Sequence, residues 1–200
     1  PGEAIYIVDQ STKKIHSPFA ALSRNPQARF EARHGLGYSR FTSNEDGIEI
    51  SALQLVAKDQ PVKLTHVSVR NNSSKPLSLK AYGYVEWVLG TNAQKTAPFI
   101  VSSYDERSGA LIATNPYSID YNERHSFLMF DGVPDAFTAD RREFIGRYGS
   151  IRQPEALGSE VKLSGSVDVS GDPCAAIMRE ISLAPGEEKV FTLYLGDADN

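Results

Sequence analysis

The chain has 200 residues, of which 40% are apolar and 10% aromatic, enough to bury a substantial core without disulfides or a structural metal. Its 25 acidic residues outnumber its 21 basic ones, and the net charge of −4 leaves no basic face for nucleic acid. Nothing in the middle of the chain resembles a flexible linker, so we expect one domain over residues 1–200. Because the chain starts with Pro-Gly rather than Met, we expect it to be a piece of a longer protein.

Membrane insertion by this segment and a disulfide framework are both disfavoured. No apolar run approaches the roughly 20 residues that a spanning helix needs, and the first residues lack the pattern of a signal peptide. Cys174 is the only cysteine, which excludes an intramolecular disulfide and is compatible with a reducing compartment. Its small apolar neighbours favour a buried packing role over that of a nucleophile.

Short runs of strand-forming residues, separated by turn residues, recur along the whole chain. The first half predicts strands at 4–8, 28–33, 38–43, 48–57, 62–71 and 77–88. The second half predicts strands at 99–104, 110–114, 126–130, 161–169, 176–183 and 189–195. The sequence Asn-Glu-Asp-Gly places Gly47 where a hairpin requires a positive φ. Antiparallel meanders are therefore expected.

The fold class follows from the segment 77–88, LSLKAYGYVEWV. Its alternation places apolar residues on one side and Tyr82, Tyr84 and Glu86 on the other, so both faces of this strand are predicted to be covered. Such a strand in a chain with many strands predicts an all-β fold, a large antiparallel β-sandwich. The one helical stretch predicted begins near Ala139, where Asp140 can cap the turn that follows.

Motifs that would carry catalysis or hold a cofactor were not found. The histidines fall in no triad-like arrangement, zinc-ligand spacings do not occur, and the segment GLGYSRF lacks the lysine of a phosphate-binding loop. We therefore expect no metal, no cofactor and no catalytic residue in this chain. Glu86 is predicted to be a partnered glutamate on a covered strand face rather than a catalytic acid, and Trp87 to be a core residue.

The segment TADRREFIGRYGS, residues 138–150, combines three arginines with two apolar anchors. Neighbouring residues on a turn or strand do not share a face, so Arg141 and Arg142 are predicted to point in different directions. Phe144 and Ile145 are predicted to anchor the segment in the core. Without further information, a solvated surface turn is the simpler interpretation.

Three parts of the chain together are similar to a known family. They are ARHGLGYSRF with the segment from GIEISALQ to VEWVLG, then DERSGALIATNPY, and then FTADRREFIGRYGS with DPCAAIMREISLAPGEEKVFTLYLG. They resemble, in register over nearly the whole chain, the N-terminal β-sandwich of the inverting sugar phosphorylases of glycoside hydrolase family 94, formerly glycosyltransferase family 36. The similarity is strongest to the version in the C-terminal part of bacterial cyclic β-1,2-glucan synthases.

This resemblance implies a galactose mutarotase-like supersandwich joined by a helical linker to an (α/α)6 barrel that carries the catalytic aspartic acid. It implies that the chain alone is inactive, that it helps to shape the sugar site of that barrel and to form homodimers, and that the parent acts on a β-glucan or oligosaccharide with inorganic phosphate as co-substrate. It also implies a cytoplasmic location, with a glucan-synthase parent at the bacterial inner membrane.

The resemblance also implies roles for particular residues. Matching the family pattern R-x-x-F-[LI]-G on Phe144 to Gly146 makes Arg141 the arginine that reaches the acceptor sugar, with Tyr148 as its stacking neighbour. The forked donors of a guanidinium suit two adjacent hydroxyl groups. Arg33 and His34, in RHGLGYSRF, line either a domain interface or a sugar site, and interface packing is favoured.

Two other functions remain open from the sequence. A free-standing carbohydrate-binding module would use exposed aromatic rings, for which Tyr38, Tyr82, Tyr84 and Trp87 are the candidates. A purely structural docking or dimerisation domain would make no use of Arg141 in sugar recognition.

Overall fold

The computed structural model describes residues 2–120, 122–158, 162–168 and 171–199. The strands are β1 (Glu3–Asp9), β2 (Ile15–His16), β3 (Arg29–Gly35), β4 (Tyr38–Glu45), β5 (Ile48–Val56), β6 (Val62–Asn71), β7 (Leu77–Glu86), β8 (Val101–Asp105), β9 (Ala110–Thr114), β10 (Arg124–Phe130), β11 (Ala136–Asp140), β12 (Pro173–Leu183) and β13 (Glu188–Asp199). Three helices of four residues each are α1 (Ala93–Thr96), α2 (Arg141–Phe144) and α3 (Glu155–Gly158), and there are 3-10 turns at Ala20–Leu22 and Ala97–Phe99.

The strands form two sheets with antiparallel pairing throughout. One sheet has five strands in the order β11-β12-β7-β1-β2, and the other has eight in the order β3-β4-β5-β6-β13-β10-β9-β8. The predicted all-β, antiparallel sandwich is thus confirmed. The described residues contain no helix of the length and hydropathy that crossing a membrane requires.

The central strand β7 explains how the layers are held together. Its residues Leu79, Ala81 and Val85 belong to the main core between the two sheets. Its residues Tyr82 and Tyr84 face outward into a second core, formed with side chains of α2, α3 and the segments around them. The prediction that both faces of this strand are covered is therefore confirmed, and the five-stranded sheet has an outer layer of its own.

Contacts between the two sheets show which edge strands of one sheet lie over which strands of the other. The rings of Tyr104 and Phe137 stack with centroids 3.8 Å apart, which places β11 over β8. At the other side, His16 of β2 lies 3.4 Å from the carboxylate of Glu45 in β4. Consequently β11 and β3 lie at opposite lateral sides of the sandwich.

Eleven of the twelve predicted strands are present, and the exception is instructive. Residues 162–168 form no strand, and 161 and 169 lie outside the described residues. Among the described residues, two backbone hydrogen bonds join this segment to β11, from Gly165 to Phe137 and from Ala139 to Ser166. Gly165 has a φ of +75°, which interrupts extended pairing. β2 and β11 were not predicted. The predicted helical turn is found as α2, with Asp140 accepting from the backbone N–H of Arg142.

The hairpin joining β4 and β5 gives a first stability prediction. Gly47 has a φ of +78°, as its position in the sequence predicts, and an added Cβ would lie 3.1 Å from Cβ of Ser73. Gly47→Ala is therefore expected to lower the free energy of unfolding by about 1 kcal/mol, measured by urea denaturation. The control is Gly158→Ala, because an added Cβ there meets nothing within 4 Å. A Gly47→Ala protein as stable as this control would contradict the prediction.

Candidate functional site

Arg141 lies where β11 ends and α2 begins, at the end of the five-stranded sheet. Its Nε donates to Oε1 of Glu86 at 2.8 Å, and its Nη1 lies 3.7 Å from Oδ2 of Asp172. The side chain is 33% exposed. One edge of the guanidinium is thus fixed by the sandwich, while about a third of the surface of the side chain stays exposed.

Glu86, the last residue of β7, accepts hydrogen bonds from three donors, one of which is Arg141. Its Oε1 also accepts from the hydroxyl of Tyr84 at 3.0 Å, and its Oε2 accepts from the backbone N–H of Gly2 at 3.1 Å. Burial alone would raise the pKa of Glu86, but these hydrogen bonds and the charge of Arg141 outweigh it and hold the pKa below its ordinary value. The hydrogen bond to Glu86 raises the pKa of Arg141. The pair is therefore ionised at neutral pH.

The segment that carries Arg141 is anchored by Phe144. This ring is fully buried and stacks on the ring of Tyr84, with centroids 4.9 Å apart and an interplanar angle of 15°. The rings of Tyr6 and Tyr82 lie 6.1 Å and 5.9 Å away. Ile145 is also fully buried. The two anchors predicted from the sequence are confirmed.

The neighbouring candidates do not share the position of Arg141. Arg142 is 55% exposed and lies 3.7 Å from the carboxylate of Asp140, so the two arginines differ in environment as predicted. Tyr148 is 89% exposed. The guanidinium of Arg147 lies 5.8 Å from its ring centroid. A stacking role beside Arg141 stays a prediction.

Arg33 and His34 lie elsewhere, on the edge strand β3. Arg33 donates to Glu31 at 2.6 Å. Nδ1 of His34 lies 2.8 Å from the hydroxyl oxygen of Ser39. Because β3 and β11 are at opposite sides of the sandwich, these two residues do not join Arg141 in one site on this domain. Whether they line a domain interface stays a prediction.

The aromatic platform that a free-standing binding module would need is not formed by the residues considered for it. Tyr82, Tyr84 and Trp87 are all buried, and only Tyr38 of the four is exposed. Tyr82 and Tyr84 are buried because both faces of β7 are covered, and Trp87, which follows this strand, belongs to the main core. Cys174 is fully buried, and burial raises the pKa of its thiol well above the usual value, as expected for a packing residue rather than a nucleophile.

One group of potential metal ligands occurs among the described residues. The ligand atoms of His16, Glu45 and Asp46 lie within 4.8 Å of one another. The ammonium of Lys14 lies 2.6 Å from Asp46, and the amide of Asn25 donates to Glu45 at 2.6 Å. With both carboxylates engaged in this way, the group is better described as an ion-pair network than as a metal centre.

The pairing of Arg141 with Glu86 and Asp172 was missed by sequence reasoning. Glu86 and Arg141 are 55 positions apart, and Asp172 precedes a different strand. The only signal was that a glutamate on a covered strand face needs a partner. Nothing in the local pattern identifies which cation supplies it.

Comparison with known proteins shows which family the chain belongs to. All of residues 1–200 match the profile of the glycosyl hydrolase 94 supersandwich domain. The chain is 50% identical over its full length to the cyclic beta-(1,2)-glucan synthase NdvB of Rhizobium meliloti, and spans 7% of that protein. It is 29% identical over 98% of its length to an N,N'-diacetylchitobiose phosphorylase of Vibrio furnissii, and spans 25% of it.

The fold recurs in a solved structure with little sequence similarity. A polysaccharide lyase superposes on 99% of this chain with a TM-score of 0.56 and 14% identity, the match covering 25% of the lyase. At that identity the similarity concerns the fold alone. The match over the whole chain and the 50% identity decide the relationship. The chain belongs to the family of glycosyl hydrolase 94 supersandwich domains.

Proposed function

We propose that the chain is an accessory domain of a longer bacterial enzyme that processes β-glucans or oligosaccharides, and that Arg141 helps to bind the acceptor sugar. In this proposal a catalytic (α/α)6 barrel follows on the same polypeptide. The support is that the relatives named above are a glucan synthase and a phosphorylase, and that each is several times longer than this chain.

The observation that carries the role in sugar binding is the geometry of Arg141. Its Nε is held by Glu86, so the plane of the guanidinium is set before any ligand arrives. A guanidinium has five N–H donors in a fixed fork. Glu86 uses the one on Nε, and of the four on the two Nη atoms those on Nη1 lie beside Asp172, at 3.7 Å from its Oδ2. Donors that are fixed in advance bind a pair of hydroxyl groups with a smaller loss of side-chain entropy.

The chemistry proposed for the parent enzyme needs no catalytic group from this domain. A carboxylic acid on the barrel protonates the glycosidic oxygen, while phosphate attacks the anomeric carbon from the opposite face and gives an inverted sugar 1-phosphate. Phosphate is already a nucleophile, so one acid suffices where an inverting hydrolase uses two carboxylates. Phosphate as co-substrate, dimer formation and a cytoplasmic location at the inner membrane rest on the resemblance to the family.

The test is made in the full-length parent enzyme. Arg141→Ala is expected to raise the KM for the acceptor sugar at least about tenfold, which corresponds to about 1.4 kcal/mol, with a smaller change in kcat. Arg141→Lys is expected to recover little of this loss, because an ammonium cannot replace the fork. Arg142→Ala is the control and should leave the KM unchanged.

An unchanged acceptor KM in Arg141→Ala would argue for the purely structural role. Formation of sugar 1-phosphate by residues 1–200 alone would contradict the accessory role itself.

A further inference from the structure

The inner face of the eight-stranded sheet, which packs on the core, becomes polar near one end. Leu128 and Ala113 of this face belong to the main core. Ser126 lies two residues before Leu128, and it pairs with Ala113 on one side and with Asp197 on the other, while Ala113 also pairs with Ser102. Side chains alternate along a strand, and residues paired across strands share a face. Ser102, Ser126 and Asp197 therefore all point toward the five-stranded sheet.

Buried polar atoms without a hydrogen-bond partner are concentrated in the same region. Among the described residues, such side-chain atoms occur in His16 and in three residues near this end of the core. The three atoms are Nε1 of Trp87, Oγ of Ser102 and Oδ1 of Asp197. Burial of a polar atom without a partner is destabilising, so most such atoms in folded proteins are paired. Three of them in one region indicate a place where a ligand can supply the missing hydrogen bonds.

Ser126 and Asp197 open into a pocket of about 370 Å³ at the end of the core, which we call the end pocket. Its lining residues include Leu89, Thr91, Asn115, Arg124, Ser126 and Asp197. This volume lies within the range of roughly 300 to 1,000 Å³ that is usual for small-molecule sites. Trp87 precedes Leu89 by two residues, so the end pocket lies where the chain leaves β7.

Hydrogen bonds fix two walls of the end pocket. Nε of Arg124 donates to Oδ2 of Asp197 at 2.5 Å, which orients the carboxylate and leaves Oδ1 as an acceptor. Nδ2 of Asn115 donates to the backbone oxygen of Leu89 at 2.9 Å. Leu89 has a φ of +37°, a left-handed conformation that is costly for a residue other than glycine. Strained residues of this kind are concentrated at ligand sites.

The chemistry of the end pocket favours a neutral ligand that is rich in hydroxyl groups. Its charged lining residues, Arg124 and Asp197, pair with each other, so neither an anion nor a cation gains a net attraction. Oδ1 of Asp197 accepts hydrogen bonds, and the hydroxyls of Ser126 and Thr91 both donate and accept. The side chain of Leu89 supplies an apolar wall. A pyranose ring, with hydroxyls on its rim and C–H groups on its faces, matches this combination.

We propose that the end pocket binds one sugar residue of an oligosaccharide, separate from the acceptor sugar at Arg141. This inference rests on the proposed function, in which the parent enzyme processes β-glucans or oligosaccharides. Glu86 holds Arg141 on the outer side of the five-stranded sheet, whereas Trp87, the next residue, belongs to the core between the sheets. The end pocket and Arg141 therefore lie at the same end of β7 but on opposite faces, and one sugar residue cannot occupy both.

The experiment is hydrogen–deuterium exchange of the full-length parent enzyme, read by mass spectrometry. A linear glucan of about six β-1,2-linked glucose residues is added without phosphate, at up to about ten times its KM. Binding is expected to slow exchange at least about threefold in peptides covering residues 88–92 and 124–128. Peptides covering β3 serve as the reference and should not change. Unchanged exchange at 88–92 and 124–128 would overturn the proposal.

Two variants test whether this protection arises in the end pocket. Ser126→Val and Thr91→Val each remove a hydroxyl, and each is expected to raise the glucan concentration for half-maximal protection of 124–128 at least about fivefold. Ser103→Val is the matched control, because Ser103 is exposed on the opposite face of the same sheet. Thr91 is exposed, so its variant keeps the test available if Ser126→Val is unstable in urea. Unchanged half-maximal concentrations in the variants that fold would overturn the proposal.

Arg141→Ala separates the end pocket from the acceptor site. It is expected to change the half-maximal concentration at 124–128 by less than about twofold, because the guanidinium lies on the other face of β7. Loss of this protection in Arg141→Ala would mean that the signal originates at the acceptor site, and would also overturn the proposal. The acceptor KM of Arg141→Ala is a separate readout, so failure of the role of Arg141 and failure of the end pocket can be told apart.

Discussion

Phe144→Ala is expected to lower the free energy of unfolding by about 3 to 4 kcal/mol, the loss usual for truncating a buried phenylalanine. The ring is fully buried and contacts the rings of Tyr6, Tyr82 and Tyr84 on the outer face of the five-stranded sheet. The cavity cannot close easily, because three tyrosines of neighbouring strands hold their positions through the sheet. Urea denaturation measures the change.

Arg142→Ala is the matched control for this change, since Arg142 lies two positions away in the same helix and is largely exposed. It is expected to alter the free energy of unfolding by less than about 0.5 kcal/mol. Phe144→Leu should fall between the two. A loss below about 1 kcal/mol for Phe144→Ala would mean that the outer layer unfolds independently of the sandwich.

The periodicity of single strands was readable from the sequence. The alternation in 77–88 predicted two covered faces, and the structure shows both, because a period of two assigns each side chain to a face whatever its partner strand. The same criterion failed at 161–169. Alternating apolar residues there predicted a strand, but the positive φ of Gly165 prevents regular pairing. The alternation of apolar and polar residues does not indicate the φ of a glycine.

Contacts between distant strands were not readable from the sequence. The anchors Phe144 and Ile145 follow from local chemistry. The partner of Glu86 instead depends on β11 and β7 ending at the same end of the five-stranded sheet, on either side of β12. The aromatic residues show the same limit. Tyr38 and Tyr84 are residues of the same type with similar neighbours in the sequence. Yet Tyr38 is exposed at a turn, and Tyr84 is buried under Phe144.

The contacts of α2 explain how a residue on a short helix can be held in a fixed position. The helix α2 has only four residues, too few to be stable by itself. Its position is imposed by the buried ring of Phe144 on one side and by the ion pair of Arg141 on the other. The position of the guanidinium thus depends on the sheet rather than on the helix, and it should be lost when either contact is removed.

Replacing Glu86 with glutamine is expected to lower the free energy of unfolding by about 2 kcal/mol at neutral pH, the contribution usual for hydrogen bonds to a charged group. The expected signature is in the pH dependence. Because the pKa of Glu86 is lower in the folded protein, the unfolded chain binds more protons over the range between the two values. The stabilisation is therefore fully present above the pKa of the unfolded chain and is lost as the pH falls through that of the folded protein.

Urea denaturation from pH 7 down to the acid limit of folding measures this, with Glu188→Gln at an exposed position as control. The difference between wild type and Glu86→Gln should shrink as the pH falls, while that for Glu188→Gln stays small throughout. A difference that does not change with pH would mean that Glu86 stabilises the domain by its shape and not by its charge. Arg141 would then not be held by an ion pair, and the main physical reason for expecting it to be oriented before a sugar arrives would be gone.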